Sequence, residues 1–110
     1  METTRQQKIE RLLQKELSEI FRTQTAKTRG VIVTVTRVRV SPDLSVSRVY
    51  LSIFPSAQAA TILDNINRNA ASVRYELARH VRYQLRRVPE LTYFLDDSLD
   101  YIDHIDSLLK

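Results

Sequence analysis

The spacing of apolar residues along the chain changes from that of a helix to that of a strand. A first helix, capped by Thr3 or Thr4 and reaching about Arg22, is predicted by an apolar stripe with three- and four-residue spacing: Ile9, Leu12, Leu13, Leu17, Ile20 and Phe21. Residues 31–40 are instead rich in β-branched side chains, which predicts a strand. Because the alternation changes parity along this strand, we expect either a bulge near Thr36 and Arg37 or partial burial of both faces.

Turn residues and further periodic segments predict the remaining elements. Ser41-Pro42-Asp43-Leu44 has the chemistry of a turn, so residues 45–54 are expected to return as the second strand of an antiparallel hairpin. Two helices follow Pro55, separated by a break at residues 69–72. The second helix is expected to reach about Arg87, since the residue before Pro89 is pushed out of the helical region. A third strand over residues 91–95 and a last helix complete the pattern.

This order of elements, α-β-β-α-α-β-α, predicts an α+β fold. A hairpin followed by a helical crossover into a third strand gives a three-stranded sheet packed by helices on one face. The other face of the sheet is then left to solvent or to a partner. A length of 110 residues is that of a single domain, spanning residues 1–110.

The helix after the break has two different faces. At about 100° per residue, one arc holds the apolar side chains Val73, Leu77, Val81 and Leu85, whereas another holds Arg79, Arg82 and Arg86. Residues 68–87 carry six arginines against a single acidic residue, Glu76. Such a density of positive charge is the electrostatic footprint of a phosphate-backbone partner. The alternative is a solvated helix face crossed by salt bridges.

Composition excludes several classes of function. The chain has no cysteine, so it offers neither a disulfide framework nor a thiolate ligand. His80 and His104 are isolated, and no glycine-rich phosphate loop or nucleophile–base pair is present. We therefore expect no catalysis, no metal and no cofactor. No run of about 18 apolar residues exists and the N-terminus lacks the apolar core of a signal peptide, which predicts a cytoplasmic protein without a membrane segment.

Two long motifs give the chain a specific family resemblance. The first is Val40-Ser41-Pro42-Asp43-Leu44 followed by Arg48-Val49-Tyr50-Leu51-Ser52. The second runs Val73-Arg74-x-x-Leu77, then Leu85-Arg86-x-Val88-Pro89-Glu90-Leu91-x-Tyr93-x-x-Asp96-x-Ser98. Over nearly its whole length the chain resembles the ribosome-binding factor A family, and its element order is similar to that of type II KH domains.

The resemblance implies a function in ribosome biogenesis. Members of this family bind the immature small (30S) ribosomal subunit and assist late maturation and 5′ processing of its rRNA, and they are linked to growth in the cold. The partners implied for this chain are the free small subunit and its rRNA, bound by a monomer. The family is not known to catalyse covalent chemistry.

The connection between the two central helices differs from that of RNA-binding KH domains and from that of the ribosome-binding factor A family. KH domains that bind single-stranded RNA usually carry a G-x-x-G loop there, and this chain has none. The family resembled has an alanine-x-glycine kink instead, and the corresponding positions are Asn69, Ala70 and Ala71, with Ala71 in place of glycine. Because alanine fits a left-handed conformation poorly, the two helices are expected to run more nearly as one bent helix.

Charge pattern and resemblance select the same RNA-binding candidates on the helices. Arg68, Arg79, Arg82 and Arg86 are expected to neutralise phosphates, which positions a protein without reading sequence. Asn69 and Ser72 are expected either to donate to a phosphate or to cap a helix. Arg74 lies at the edge of the apolar arc and is expected either to contact RNA or to pair with Asp96 or Asp97.

The hairpin offers a second basic patch, formed by Arg37, Arg39 and Arg48. If Arg37 and Arg39 face solvent, they lie across from Arg48, and like charges there are costly without an anionic partner. Three tyrosines are candidates for stacking on unpaired bases, although burial in packing is the commoner role: Tyr50, Tyr75 and Tyr83.

Two other functions fit the same sequence features. One is a KH-like protein that binds other transcripts. The other is a protein–protein adaptor that uses the open sheet face or the acidic last helix. Phosphate binding weakens steeply as salt rises, whereas an apolar adaptor interface does not.

Overall fold

The computed structural model describes residues 3–26 and 30–96. These residues form an α+β fold with the predicted order of elements, confirmed as far as the third strand; the predicted last helix lies outside the described residues. The elements are α1 (Thr4–Thr25), β1 (Ile32–Val40), β2 (Val46–Phe54), a 3₁₀ turn (Ser56–Gln58), α2 (Ala59–Arg68), α3 (Ala70–Val81) and β3 (Glu90–Leu95).

The three strands form one sheet in the order β1-β2-β3. β1 and β2 are antiparallel, as expected of a hairpin, whereas β2 and β3 are parallel because α2 and α3 carry the chain back between them. The register between β1 and β2 shifts between Val35 and Arg37, which is the predicted bulge. The bulge lets Val33, Val35, Val38 and Val40 all point into the core despite their change of parity.

Helix α1 packs along β1 and begins with a reciprocal cap. The Thr3 hydroxyl accepts a hydrogen bond from the Gln6 backbone N–H at 3.1 Å, and the Gln6 side chain accepts one from the Thr3 N–H at 2.8 Å. The predicted apolar stripe is the buried face, with Leu13 and Leu17 fully buried. His80 on α3 contacts Glu16 on α1, with 2.9 Å between Nδ1 and Oε2.

The break between α2 and α3 is narrower than the sequence predicted. Asn69 alone separates the two helices, with φ −103° and ψ 21°, and Ala70 and Ala71 are the first residues of α3. The Asn69 N–H donates to the carbonyls of Asn65 and Ile66, and its own carbonyl accepts from residues 72 and 73. Backbone hydrogen bonding therefore continues through the break. The kink needs no left-handed residue, which is why alanine is tolerated at position 71.

Helix α3 ends at Val81, so the prediction that it reaches Arg87 is wrong. The N–H groups of Gln84 and Leu85 both donate to the Val81 carbonyl, at 2.9 and 2.8 Å, and close the helix. Local sequence favours further helix, but β3 must begin beside β2, where the Glu90 N–H donates to the Ser45 carbonyl at 2.9 Å. Tertiary pairing overrides helix propensity here, and residues 82–89 leave the helix to reach the sheet.

The core lies between the helices and the inner face of the sheet. It combines Val73, Leu77 and Val81 of α3 with the buried faces of α1 and of all three strands. Tyr93 on β3 packs edge-on against Phe21 of α1, with ring centroids 5.8 Å apart. No helix within residues 3–26 and 30–96 is both long and apolar enough to cross a membrane.

Candidate nucleic-acid interface

The predicted arginines lie on two sides of the molecule. The helices cover the inner face of the sheet, and the outward positions of the strands carry Arg37, Arg39 and Arg48. The other candidates belong to α2, α3 and the segment that joins α3 to β3. The structure therefore divides the predicted candidates into a helical surface (Arg68, Asn69, Ser72, Arg74, Arg79, Arg82 and Arg86) and an open sheet face.

Two arginines of the helical surface have acidic neighbours on their own helix. The Nε of Arg68 lies 3.0 Å from Oδ2 of Asp64, and Nη1 of Arg79 lies 3.4 Å from Oε1 of Glu76. These are the salt bridges of the alternative interpretation. Both guanidinium groups remain largely exposed, however, and surface pairs of this kind contribute at most about 1 kcal/mol. The pairs therefore leave both arginines available to a phosphate.

Asn69 does not cap α3 with its side chain. Its Nδ2 instead donates backward to the Asn65 carbonyl at 2.9 Å, across the break between the helices. Ser72 is exposed in the first turn of α3. The capping role expected as one alternative for Asn69 is therefore found at the end of α2, where its side-chain amide caps the helix, and not at the start of α3.

Arg82 and Arg86 are not part of a helical row with Arg79, because α3 ends before them. Arg82 follows the last residue of α3, and its Cζ lies 5.0 Å from the centroid of the Tyr83 ring. Arg86 is exposed in the segment that leads to β3. The guanidinium groups thus continue from the helix onto the turn and the irregular segment that lead to β3.

A cleft of about 760 Å³ collects several of these charges. It lies between the N-terminal part of α1, the hairpin turn and the segment before β3, and its basic residues are Arg5, Arg74, Arg86 and Arg87. Asp43 and Glu90 are its acidic residues. Arg87 was not among the predicted candidates. Its direct sequence signal was its place beside Arg86, immediately before Val88-Pro89.

Arg74 positions the wall of this cleft. Its Nη2 donates to the backbone carbonyl of Val88 at 3.0 Å, which fixes the segment before β3. The expected pairing with Asp96 is wrong, since Asp96 follows the opposite end of β3 and accepts a hydrogen bond from the Thr36 hydroxyl. The other expected partner, Asp97, lies outside the described residues.

The hairpin turn beside the cleft is held by one carboxylate. Oδ1 of Asp43 accepts hydrogen bonds from the hydroxyls of Ser41 and Ser45, at 2.7 and 2.8 Å, and from the Ser45 N–H at 3.2 Å. The bond from the Ser41 hydroxyl, and then those from Ser45, lower the pKa of Asp43 below its usual value. Leu44 follows with a φ of 62°, a left-handed conformation that this network stabilises.

The open sheet face carries one row of side chains that runs across all three strands. Arg37 pairs with Tyr50, and Tyr50 pairs with Phe94. In the neighbouring row Arg39 lies directly opposite Arg48, as the sequence predicted for two solvent-facing strands. Phe94 was not among the predicted candidates, although alternation along β3 signals it, because inward Leu91 and Tyr93 imply an outward aromatic side chain at position 94.

Fold and surface together define an α+β protein with the element order of type II KH domains and with arginines on both sides of its sheet. The model of the ribosome-binding factor A family matches residues 5–109. The chain belongs to the ribosome-binding factor A family.

Relatives and solved structures give the same result. Ribosome-binding factor A of Flavobacterium johnsoniae is 46% identical, over 99% of this chain and 85% of the relative; that of Christiangramia forsetii is 41% identical over the same shares. The crystal structure of ribosome-binding factor A from Thermus thermophilus superposes with a TM-score of 0.64 at 30% identity, covering 82% of this chain and 94% of the other. A homology model of the Thermus thermophilus protein, fitted into the cryo-EM map of a 30S complex, superposes with a TM-score of 0.68 at 31% identity, covering 82% and 93%.

Proposed function

We propose that this protein is a ribosome biogenesis factor that binds the immature small (30S) ribosomal subunit and assists late maturation and 5′ processing of its rRNA. The observation that carries the proposal is a basic helical surface on a fold whose relative is fitted into the map of a 30S complex. The chain acts as a monomeric single domain in the cytoplasm and needs neither a cofactor nor catalysis.

The helical surface binds the phosphate backbone of the rRNA. Four arginines of this surface are exposed: Arg68, Arg79, Arg82 and Arg86. Their guanidinium groups therefore contact phosphates without any change in the packing of the core. The side chains of Asn69 and Ser72 add neutral donors at the break between α2 and α3. Contacts of this kind fix orientation on the RNA and carry no direct sequence information.

Arg74 acts within this surface by holding the segment that carries Arg86. One guanidinium nitrogen of Arg74 donates a hydrogen bond to the Val88 carbonyl, and the side chain lines the cleft. Arg74 is therefore a positioning residue that also adds positive charge to the cleft. A surface built on charge also explains how the protein binds RNA without a G-x-x-G loop.

Sedimentation through a sucrose gradient tests this function. We expect the wild-type protein to comigrate with free small subunits at low salt and to separate from them at high salt, because each phosphate contact releases counterions. The triple variant Arg79→Glu, Arg82→Glu and Arg86→Glu is expected to fold normally and to lose comigration.

A matched control separates the surface from total charge. The triple variant Lys8→Glu, Arg11→Glu and Lys15→Glu makes the same change of charge on the exposed side of α1. We expect it to retain comigration with free small subunits. In cells that depend on one variant as their only copy, the unprocessed 5′ end of the small-subunit rRNA should accumulate for the Arg79, Arg82 and Arg86 variant and not for the α1 variant, and this accumulation should be strongest in the cold. The proposed surface is contradicted if the Arg79, Arg82 and Arg86 variant still comigrates with free small subunits, or if both variants lose comigration equally.

A further inference from the structure

The row of Arg37, Tyr50 and Phe94 forms a continuous platform on the open sheet face. The Cζ of Arg37 lies 4.5 Å from the centroid of the Tyr50 ring. The Tyr50 and Phe94 rings have centroids 5.7 Å apart and planes inclined by 30°. The two rings are therefore in contact with their planes at a shallow angle, and the Arg37 guanidinium group lies over a face of the Tyr50 ring.

The composition of this face departs from what an uncovered sheet face requires. An antiparallel hairpin exposed to water normally turns polar side chains outward. Here Phe94 is 40% exposed, and Ile32 and Phe54 at the far end of the hairpin are 59% and 62% exposed. None of the described helices covers these side chains. Large apolar side chains gathered on one face indicate a binding surface.

Charge narrows the kind of ligand. Arg37, Arg39 and Arg48 all project from this face, and Glu90 is the one acidic residue within the three strands. Arg39 and Arg48 are cross-strand neighbours, so two positively charged side chains are adjacent on this face. Consecutive outward rows of a sheet are about 6.6–6.8 Å apart, which places this pair of charges one row away from the aromatic pair.

We propose that the open sheet face binds an unpaired stretch of RNA, with bases stacked on Tyr50 and Phe94 and phosphates contacted by Arg37 and Arg48. Aromatic side chains on a sheet surface provide such platforms because every base has a face that stacks, and arginine contributes both charge and a planar group. An acidic protein partner would account for the arginines but not for the adjacent aromatic pair, of which Phe94 is 40% exposed.

The ligand must be unpaired for a geometric reason. In an A-form helix the base faces are already stacked on one another, so flat rings on a protein surface cannot reach them. A single strand presents its bases freely and can lay them on the platform. This site lies on the other side of the sheet from the helical surface. Binding of unpaired RNA at the open sheet face can therefore be tested independently of binding to the small subunit through the helical surface.

A tryptophan reporter tests the stacking directly. The chain contains no tryptophan, so Phe94→Trp places a single indole in the platform. We expect its fluorescence to be quenched by an unstructured oligoribonucleotide of roughly ten nucleotides, a length typical of single-strand binding sites. An abasic oligomer of equal length has the same phosphates, so it should bind weakly and leave the indole unquenched. The proposal is overturned if the abasic oligomer quenches the indole as strongly as the unstructured oligoribonucleotide does. It is also overturned if neither RNA quenches the indole.

Binding by fluorescence anisotropy, in proteins that keep phenylalanine at position 94, measures the contribution of each ring. Tyr50→Leu and Phe94→Leu should each weaken binding of the unstructured oligoribonucleotide by roughly five-fold to a hundred-fold. Phe94→Tyr, which keeps a ring, should restore binding and so show that the loss does not come from misfolding. Tyr75→Leu removes a ring that is 66% exposed on α3 and should leave the affinity unchanged. Unchanged binding by the sheet variants, or an equal loss in Tyr75→Leu, contradicts the proposed site.

Discussion

The carboxylate of Glu10 on α1 accepts a hydrogen bond from the backbone N–H of Val40 on β1, at 2.9 Å. One helical turn earlier, Nε2 of Gln6 donates to the carbonyl of the same Val40, also at 2.9 Å. One turn later, Nε2 of Gln14 donates to the Val35 carbonyl at 3.2 Å, beside the bulge. Three polar side chains of α1 therefore occupy the outer edge of β1, which would otherwise offer unpaired backbone groups to another strand.

Glu10→Ala is expected to destabilise the protein through this edge. The substitution leaves a buried Val40 N–H without its acceptor, which costs about 1–3 kcal/mol in the free energy of unfolding. Urea denaturation followed by circular dichroism measures this loss. Glu10→Gln keeps an acceptor oxygen and should cost less.

Glu19→Ala is the matched control on the same helix. Glu19 is exposed and pairs with Arg22, so its removal should change the free energy of unfolding by no more than about 0.5 kcal/mol. Equal losses in Glu10→Ala and Glu19→Ala would show that the edge contact does not stabilise the fold.

Tyr93 offers a prediction of the opposite sign. Its side chain is 2% exposed, and its hydroxyl is the one buried side-chain polar atom of the described residues without a hydrogen-bond partner. A buried hydroxyl without a partner costs free energy, whereas the ring contact with Phe21 does not depend on the hydroxyl. Tyr93→Phe should therefore raise the free energy of unfolding by about 1 kcal/mol. A decrease would mean that the hydroxyl has a partner in solution.

The same burial predicts how stability changes at alkaline pH. Burial raises the pKa of Tyr93 above its ordinary value of 10.0. Above about pH 10 the unfolded chain loses this proton while the folded protein keeps it, so the free energy of unfolding falls as pH rises, by up to about 1.4 kcal/mol per pH unit. Tyr93→Phe should remove this part of the slope, and Tyr75→Phe, at an exposed position, should not. Urea denaturation at a series of pH values above and below 10 measures both slopes.

The sequence predicted the elements whose signals are local. The stripe of α1, the turn at Ser41-Pro42-Asp43-Leu44 and the bulge near Thr36 all follow from patterns of a few residues, and each lies where it was expected. The end of α3 was misplaced because residues 82–87 favour helix locally, whereas the position of β3 beside Val46 decides their path. That pairing joins residues far apart in the chain.

The candidate surfaces were predicted residue by residue but not as arrangements. Because Arg74 lies at the edge of the apolar arc, one expectation was that it pairs with a carboxylate. Its guanidinium group instead donates to the backbone carbonyl of Val88, and side-chain patterns do not reveal a backbone partner. Phe94 was not predicted, because the alternation along β3 was interpreted only for its inward face and not for the outward one. Its importance comes from Tyr50 on the neighbouring strand, and such a neighbour is known only once the register is known.

Arg74 provides a test that separates positioning from RNA contact. Arg74→Ala removes the hydrogen bond to Val88 and is expected to lower the free energy of unfolding by about 1 kcal/mol, as well as to weaken binding to the small subunit. Arg86→Ala removes an exposed charge and should weaken binding with little effect on stability. Urea denaturation and gradient sedimentation of both variants give the two readouts. Weaker binding by Arg74→Ala with unchanged stability would assign Arg74 to direct RNA contact alone.

The salt dependence of RNA binding should show how many phosphates the helical surface contacts. Arg82→Gln and Arg86→Gln each remove one guanidinium charge and keep polar side chains of similar reach. If each arginine contacts a phosphate, each substitution should weaken binding to purified small subunits at every salt concentration and reduce the slope of log K against log salt by about 1. Lys15→Gln, an equal loss of charge on α1, should leave the slope unchanged. A slope reduced equally by all three substitutions would mean that long-range attraction, rather than contact at this surface, accounts for the affinity.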